Sequence, residues 1–330
     1  MYSTRHRTVT TSLLLALVVL LTGVFSLAVG TVPIPPIEVI RWIGGAAISE
    51  EHRTILASLR LPRTLLAIIV GGGLSVAGAV FQALLRNPLA EPFILGVSSG
   101  GTLGAIIAIS FGIGLTFVTI PTASFVGSLG VMILVYAIAS RYGRIDPTTL
   151  LLAGVIIGAF FNALILTLAA IFHTRIHNAF LWLMGNLGSA DIRTLSVVAP
   201  VVVVVSAIFF AMSRYFNLIA TGEETAAQLG VNVELLKRGA YVLASLLTGV
   251  VVSVSGVIGF VGLIVPHACR IVVGADHRQL LPASFFTGAA FLTLVDVASR
   301  TVISPSEIPV GAVTAVVGVP VFVWLLRRET

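Results

Sequence analysis

The stretch TLSVVAPVVVVVSAIFFAM, from Thr194 to Met212, contains no charged residue. A helix needs about 20 predominantly apolar residues to cross the hydrocarbon core of a bilayer, so these 19 residues predict a membrane-spanning helix. Nine further stretches are comparably apolar, although the eighth, around Pro266, is too short to cross alone and predicts a broken element buried in protein. The ten predicted spans are 9–29, 63–83, 93–111, 115–139, 148–171, 194–212, 239–258, 261–273, 279–299 and 309–326.

The composition of the whole chain also indicates an all-α, polytopic membrane protein. Of its 330 residues, 57% are hydrophobic and 10% are charged, and the mean hydropathy is +1.10. A soluble domain usually has about 25% charged residues, so this composition argues against a water-soluble fold. The net charge of +6 forms no basic block, which gives no indication of nucleic-acid binding. The single cysteine, Cys269, excludes an intramolecular disulfide.

The distribution of positive charge predicts the orientation in the membrane. With ten crossings and both termini cytoplasmic, the cytoplasmic segments hold 12 of the 19 arginine and lysine residues and the opposite segments hold seven. Positive residues are enriched on the cytoplasmic side of membrane proteins. We therefore expect a multi-pass protein of the cell inner membrane with both termini inside. The apolar stretch 9–29 is longer than the core of a signal peptide and is interpreted as a retained first helix.

An internal repeat is indicated by two matching segments. The sequence Ser75-Val-Ala-Gly78 is followed ten residues later by Pro88, and Ser253-Val-Ser-Gly256 is followed ten residues later by Pro266. In the predicted orientation the two copies cross the membrane in opposite directions, as in transporters built from inverted repeats. The alternative is a chance match of small residues. The chain is thus expected to be one membrane domain, 1–330, with repeat halves at about 60–171 and 238–326.

Small residues spaced four apart predict close contacts between helices. Gly71, Ser75 and Ala79 share one helical face, and so do Gly100 and Gly104. Small residues let membrane helices approach closely. The alternative is that apolar sequences are simply rich in glycine and alanine.

The sequence offers no catalytic site and no motor. The nucleotide-binding pattern G-x4-G-K-S/T is absent, and Lys237 is the only lysine. An ion-coupled transporter usually has acidic residues within the membrane. The one good candidate is Asp296, which lies four residues before Arg300 on the same helix and is expected to pair with it. A separate ATPase is therefore the favoured energy source, with an ion-coupled secondary transporter using Asp296 as the alternative; no cofactor is expected.

His173 and His177 lie four residues apart in an outer segment. This spacing would suit a metal or haem contact, but two solvated surface histidines are the simpler interpretation. Neither this pair nor any other group of residues predicts a metal site.

Three arginines fall on the outer side, against the general charge bias. Arg60 and Arg63 lie at the head of the second span, and Arg300 ends the ninth. Arginine pairs with carboxylates in a two-pronged geometry and stays charged. These residues therefore suggest docking of an acidic soluble partner from outside; binding of lipid headgroup phosphate is the alternative.

The largest inner loop runs from 213 to 238, and its centre reads as a short helix closed by Gly230. Such a loop suits contact with a soluble partner, and a solvated connector is the alternative. The chain also carries seven ordered motifs between residues 59 and 314. They are LRLPR at 59–63, Q-x3-RNPLA-x-P-x2-LG at 82–96, LAGV at 152–155, W-x-MG at 182–185, GFVGLIVPH at 259–267, DHR at 276–278 and PVG-x2-T at 309–314.

Together these motifs resemble the permease subunits of type II ABC importers for iron–siderophore complexes, haem and vitamin B12. The resemblance implies a ten-helix subunit that pairs with a second permease copy, in most cases an identical one, around a central path. It also implies two ATP-binding cassette ATPase subunits on the cytoplasmic face and a periplasmic substrate-binding protein outside. The expected cargo is an iron(III)–siderophore, with vitamin B12 or haem as the other possibilities.

The resemblance also assigns roles to particular residues. Arg60, Arg63 and Arg300 would meet acidic groups of the binding protein, and the glycine-rich stretches 71–73 and 100–104 would let helices slide at the dimer interface. The loop that contains Asp146, Pro147 and Thr148 would lie beside the cytoplasmic gate. The residues expected to couple to the ATPase are Glu223, Glu224, Ala226, Gln228, Leu229, Gly230 and Val231.

Overall fold

The computed structural model describes residues 2–112, 119–141, 144–172 and 184–329, and within these the chain is almost entirely helical. One antiparallel pair of two-residue strands, β1 (Ser140–Arg141) and β2 (Arg144–Ile145), interrupts the helices and was not predicted. The helices are α1 (Tyr2–Ala28), α2 (Pro36–Ile43), α3 (Glu50–Thr54), α4 (Leu61–Leu85), α5 (Val97–Phe111), α6 (Thr119–Ala139), α7 (Pro147–Ile171), α8 (Ile192–Ala220), α9 (Glu223–Gln228), α10 (Val233–Ser255), α11 (Val261–Val273), α12 (His277–Thr301) and α13 (Val310–Glu329).

The all-α, polytopic prediction is confirmed. Seven of the described helices are long and apolar enough to cross a membrane, and α5, α11 and part of α13 are shorter apolar helices. These ten elements coincide with the ten predicted spans. The eighth, α11, has 13 residues and contains Pro266, as expected for a half-length element. Before α4, the helix α3 and a π-helical turn (Ile55–Arg60) run directly into that helix.

The helices begin where a side chain can satisfy free backbone N–H groups. Four helices have an asparagine or aspartate at the N-cap, whose side-chain oxygen accepts a backbone hydrogen bond and so stabilises the first turn. At α7 and α8 the pKa of the capping aspartate is lowered, chiefly by a hydrogen bond from the hydroxyl of the threonine three residues later and also by backbone N–H donors. The four caps are Asp146 before α7, Asp191 before α8, Asn232 before α10 and Asp276 before α12.

Contacts between distant residues define two ends of the bundle. One end holds the turn after α1 near Val32 and the C-terminal part of α12 near Arg300, and is called the outer end after the predicted orientation. The other holds β2, α9 and the start of α10, and is called the inner end. The start of α4 therefore lies at the outer end, next to Arg60, and its last residues lie at the inner end, where Arg86 pairs with Glu223.

The helix α4 lies at the centre of the bundle and is buried along nearly its whole length. A Cβ atom added to Gly288 of α12 would lie 1.9 Å from Ser75 Oγ and 2.4 Å from the carbonyl oxygen of Gly71. The backbones of α4 and α12 are therefore in direct contact, which only glycine permits here. Similarly, a Cβ atom on Gly104 of α5 would lie 2.1 Å from the carbonyl oxygen of Ala123 in α6.

These contacts correct one expectation. The stretches 71–73 and 100–104 were expected at a sliding interface between two copies, but the structure packs them against other helices of the same chain. Gly72 faces Phe285 of α12, and Gly100 faces Val131 of α6. The small-residue pattern therefore reports packing inside one subunit.

The two matching sequence segments lie at two similar breaks. The long helix α4 is followed by a loop and the 15-residue α5, and the long helix α10 is followed by a shorter loop and the 13-residue α11. The two breaks meet: Gln82 Nε2 donates to the carbonyl oxygen of Leu263 at 3.2 Å, and the Phe260 N–H donates to Glu91 Oε2 at 3.4 Å. This arrangement suits an inverted repeat, and the halves 60–171 and 238–326 stay a prediction.

The glycine contact between α4 and α12 gives a first prediction. Gly288→Ala should lower the free energy of unfolding by about 1–3 kcal/mol, because the added methyl group overpacks a backbone contact. Gly130→Ala is the matched control, since a Cβ atom there meets nothing within 4 Å. Thermal unfolding in detergent micelles would measure both variants. A Gly288→Ala variant as stable as the Gly130→Ala variant would contradict the close contact.

Candidate functional site

The outer end contains a buried ion-pair cluster around Asp296 of α12. Its side chain is fully buried, and Oδ1 accepts from Arg63 Nε at 2.8 Å, while Oδ2 lies 3.4 Å from Arg300 Nε. Arg63 Nη1 also donates to Glu307 Oε1 at 2.9 Å, on the loop after α12. The cluster joins α4, α12 and that loop, because Arg63 of α4 donates both to Asp296 of α12 and to Glu307 of the loop.

Arg60 and Arg300 donate hydrogen bonds to the C-terminal end of α1. Arg60 Nη1 donates to the carbonyl oxygens of Leu27 at 2.6 Å and Ala28 at 2.9 Å, and Arg60 Nη2 donates to Val32. Arg300 Nη2 donates to the carbonyl oxygen of Ser26 at 2.6 Å. The last carbonyls of a helix lack partners within the helix. The guanidinium groups supply these partners at a helix end that has little access to water.

The three arginines predicted to meet a binding protein differ in how far their side chains reach the surface, and their docking role stays a prediction. Arg60 is 5% exposed and Arg300 is 7% exposed, because the carbonyls of α1 and the buried Asp296 engage their guanidinium groups. Arg63 lies closest to the surface through Glu307, whose side chain is 48% exposed. Any contact with an external partner at this cluster therefore involves Arg63 and Glu307 first.

The geometry of Asp296 also bears on the ion-coupled alternative. The expected pair with Arg300 is present, and a second arginine, Arg63, pairs with the other carboxylate oxygen. Removing one member of such a buried pair leaves an uncompensated charge and is strongly destabilising. A carboxylate held between two arginines therefore links α12 to the start of α4, and its use in ion coupling stays an alternative.

At the inner end, α9 forms the short helix that the loop sequence predicts. Its Ala226 is fully buried, whereas Glu224, Gln228 and the following Leu229 are exposed. Gly230 closes the helix in the left-handed region with a φ of +83°, a conformation that glycine adopts without strain. Val231 follows and donates its N–H to the carbonyl oxygen of Ala226 at 3.0 Å. The α9 helix thus presents a mixed polar and apolar face outward from the bundle.

The predicted gate residues form the start of α7. Asp146 is the N-cap, and its Oδ2 accepts from the Thr149 N–H at 2.7 Å and from Thr149 Oγ1 at 2.6 Å. Pro147 occupies the first helical turn, where its missing N–H has no cost. Thr148 is exposed beside it. These residues fix the direction of α7, and their part in gating stays a prediction.

Sequence reasoning gave no role to Arg86 and Lys237, two charged residues that contact α9. Glu223, the first residue of α9, lies 3.3 Å from Arg86 Nη2 at the end of α4 and 3.1 Å from Lys237 Nζ on α10. These contacts join residues that are 137 and 14 positions apart, so helical spacing could not reveal them. The sequence gave one indication that Lys237 has a specific role, because it is the only lysine in the chain.

No group of histidine, cysteine and acidic side chains able to hold a metal ion occurs in the part of the chain that the structure describes. His173 and His177 lie outside the described residues. A cavity of about 920 Å³ opens between α6, α8 and α10 toward the outer end. Its walls are mostly apolar, with Thr122, Asp191 and Arg193 among the polar groups. The described residues thus offer apolar space without a dense set of polar ligands.

Comparison with known proteins gives a consistent result. Residues 16–328 match the FecCD transport family. The cobalamin import system permease BtuC of Halobacterium salinarum is 43% identical over 280 residues, which cover 85% of this chain and 75% of that protein. The hemin transport system permease HmuU of Yersinia pestis is 41% identical, covering 83% of this chain and 84% of that protein.

Solved structures agree with the sequence match. The inward-facing structure of an ABC transporter assigned to the metal-chelate type superimposes with a TM-score of 0.85 at 32% identity. The superposition covers 96% of this chain and 98% of that chain. Both the fold and the sequence are shared over nearly the full length, and the chain therefore belongs to the FecCD transport family as a multi-pass membrane permease subunit of an ABC importer.

Proposed function

We propose that this permease carries an iron(III)–siderophore or a related metal chelate, with vitamin B12 or haem as the alternatives, from the periplasm to the cytoplasm. The observation that carries the proposal is the set of relatives: one imports cobalamin, one transports hemin, and the superimposed transporter is of the metal-chelate type. All of these cargoes are bulky complexes built around a metal. The mostly apolar walls of the outer cavity are consistent with loose enclosure of such a cargo.

The energy comes from two separate ATPase subunits that bind the inner end. The chain has no nucleotide-binding pattern of its own. The exposed face of α9 supports contact with a soluble partner, because Leu229 is 62% exposed although it is a large apolar residue. An exposed apolar side chain within a polar rim is typical of a protein interface. The membrane is the cell inner membrane, with both termini in the cytoplasm.

A second copy of the chain completes the passage. The helix α7 supports this part of the proposal, since its apolar side chains are largely unburied within the single subunit. Leu152, Ile156 and Phe160 are all more than half exposed, and they recur at intervals of four residues on one side of the helix. This stripe starts at the inner end, directly after the predicted gate residues.

A secreted, periplasmic binding protein delivers the chelate to the outer end. Arg63 is the residue through which the ion-pair cluster can meet that protein, because Glu307 holds one of its nitrogens near the surface. A carboxylate of the binding protein can take the place of Glu307 while Asp296 keeps its bond to Arg63 Nε. Substitutions of Arg60 or Arg300 would leave backbone carbonyls of α1 without donors, so they test folding rather than docking.

The function is tested with the permease, its ATPase and its binding protein reconstituted in liposomes. The binding protein should retain one of three probes, cyanocobalamin, hemin or a radiolabelled iron(III) hydroxamate, and the loaded form should stimulate ATP hydrolysis. Retention of a different class of solute, such as a sugar or a peptide, would contradict the proposed cargo. No stimulation by the loaded form would contradict the importer role.

Contact between α9 and the ATPase gives a specific prediction. Leu229→Ala should weaken binding of the ATPase at least about fivefold, because an apolar side chain at the centre of an interface contributes more than its neighbours. Ile303→Ala is the control: Ile303 is 58% exposed, but lies on the loop after α12 at the opposite end. Co-purification in nanodiscs at graded ATPase concentrations measures both. Equal binding by both variants would show that α9 is not the contact.

Docking of the binding protein gives another prediction. Glu307→Gln should tighten docking by up to about fivefold at low salt, because it releases Arg63 Nη1 for a partner carboxylate without disturbing Asp296. Glu50→Gln should leave the affinity unchanged, since Glu50 is an exposed residue paired with Arg53. Biolayer interferometry on nanodiscs would measure these affinities. Weaker docking of the Glu307→Gln variant would indicate that Glu307 itself contacts the partner.

A further inference from the structure

Lys237 of α10 is buried although it carries a charge. It is 3% exposed, and its ammonium group has three oxygen partners on three different elements. Nζ lies 2.9 Å from the carbonyl oxygen of Ile145 in β2, 3.1 Å from Glu223 Oε2 in α9 and 2.9 Å from Glu234 Oε1 in α10. An ammonium group has three N–H donors. Each donor thus has one partner, and the single lysine of the chain joins three elements at the inner end.

The contact with β2 holds one residue, Ile145, through both of its backbone groups, and is called the Ile145 clamp. While Lys237 donates to the Ile145 carbonyl, Glu234 Oε2 accepts from the Ile145 N–H at 3.0 Å. Both backbone groups of Ile145 are therefore held by the first turn of α10. The Ile145 side chain is itself buried, so the residue has little freedom to move relative to that turn.

The clamp lies directly before α7. Ile145 is followed by Asp146, which caps α7 through Thr149. On the other side, Glu223 is the first residue of α9, and it also pairs with Arg86 at the end of α4. A continuous series of polar contacts therefore runs from α9 through Glu223 and Lys237 to Ile145 and the start of α7.

We propose that Lys237 is the positioning residue that transmits displacement of α9 to β2 and α7, so that ATP hydrolysis by the partner is converted into movement of the passage. This inference rests on the proposed function, because it needs an ATPase seated on α9. A lysine that merely filled space would not need partners on three elements. Charge-assisted hydrogen bonds are short and strong, and so they can transmit motion between elements that otherwise share few contacts.

The inference predicts uncoupling rather than loss of the ATPase contact. In Lys237→Met, the apolar stem is kept but the link between Glu223 and Ile145 is lost. Uptake per ATP hydrolysed should fall about tenfold, within the usual range for coupling between two sites. ATPase binding should stay unchanged, because Leu229 and the exposed face of α9 are intact. Lys237→Arg keeps the charge and several donors, and should restore at least half of the coupling.

The experiment uses the permease reconstituted with its ATPase and binding protein, and with the probe that the binding protein retains among cyanocobalamin, hemin and an iron(III) hydroxamate. Uptake and ATP hydrolysis are measured in the same liposomes. Arg238→Met is the matched control, since it removes a positive charge at the adjacent exposed position. Glu223→Ala breaks the same link from the α9 side and should lower the ratio as well. The double variant should be no worse than Lys237→Met alone.

The outcomes separate this inference from the proposed function. Without ATP-driven uptake by the wild-type complex, the proposed function itself fails. With a working wild type, an unchanged ratio of uptake to hydrolysis in Lys237→Met overturns the inference, and so does an equal fall in Arg238→Met. If Lys237→Met does not yield folded protein, the ratio measured for Glu223→Ala tests the inference instead, because Glu223 is partly exposed and its loss leaves the Ile145 clamp in place.

Discussion

The structure depends on one constraint: the lipid interior offers no hydrogen-bond partner, so every interrupted helix must find partners within the protein. The two breaks that follow α4 and α10 meet each other, and Glu91 and Gln82 satisfy backbone groups at the start of α11. At the outer end, Arg60 and Arg300 supply donors to the last carbonyls of α1. These buried polar side chains therefore lie where the backbone is interrupted.

The polar clusters at the two ends of the bundle connect different elements. The outer cluster around Asp296 fixes α1, α4 and α12 to one another and leaves only Arg63 and Glu307 near the surface. The inner cluster around Lys237 instead joins the exposed α9 to the start of α7. Between them the described helices contact each other through glycines and apolar side chains, which is suited to a passage that does not hold its cargo tightly. In the proposed function this chain supplies the passage, while a separate ATPase supplies the energy.

Much of this architecture could be predicted from the sequence, because bilayer thickness fixes the length of apolar stretches and local spacing fixes local pairs. The half-length α11, the closure of α9 by Gly230 and the pair of Asp296 with Arg300 all follow from residues close in sequence. The pairing of Arg63 with Asp296 spans 233 positions and depends on how the helices pack. The hydrogen bonds from Arg60 and Arg300 to the end of α1, and the clamp on Ile145, also join residues far apart in sequence, so sequence reasoning did not reveal them.

The central claim is that this chain conducts a chelate only when an ATPase drives it. The most direct measurement is accumulation of the retained probe in liposomes that contain the permease with the loaded binding protein, energised either by ATP and the ATPase or by a proton or sodium gradient alone. The account predicts accumulation against a gradient only in the first case. Accumulation by the permease on an ion gradient, with no ATPase present, would contradict it.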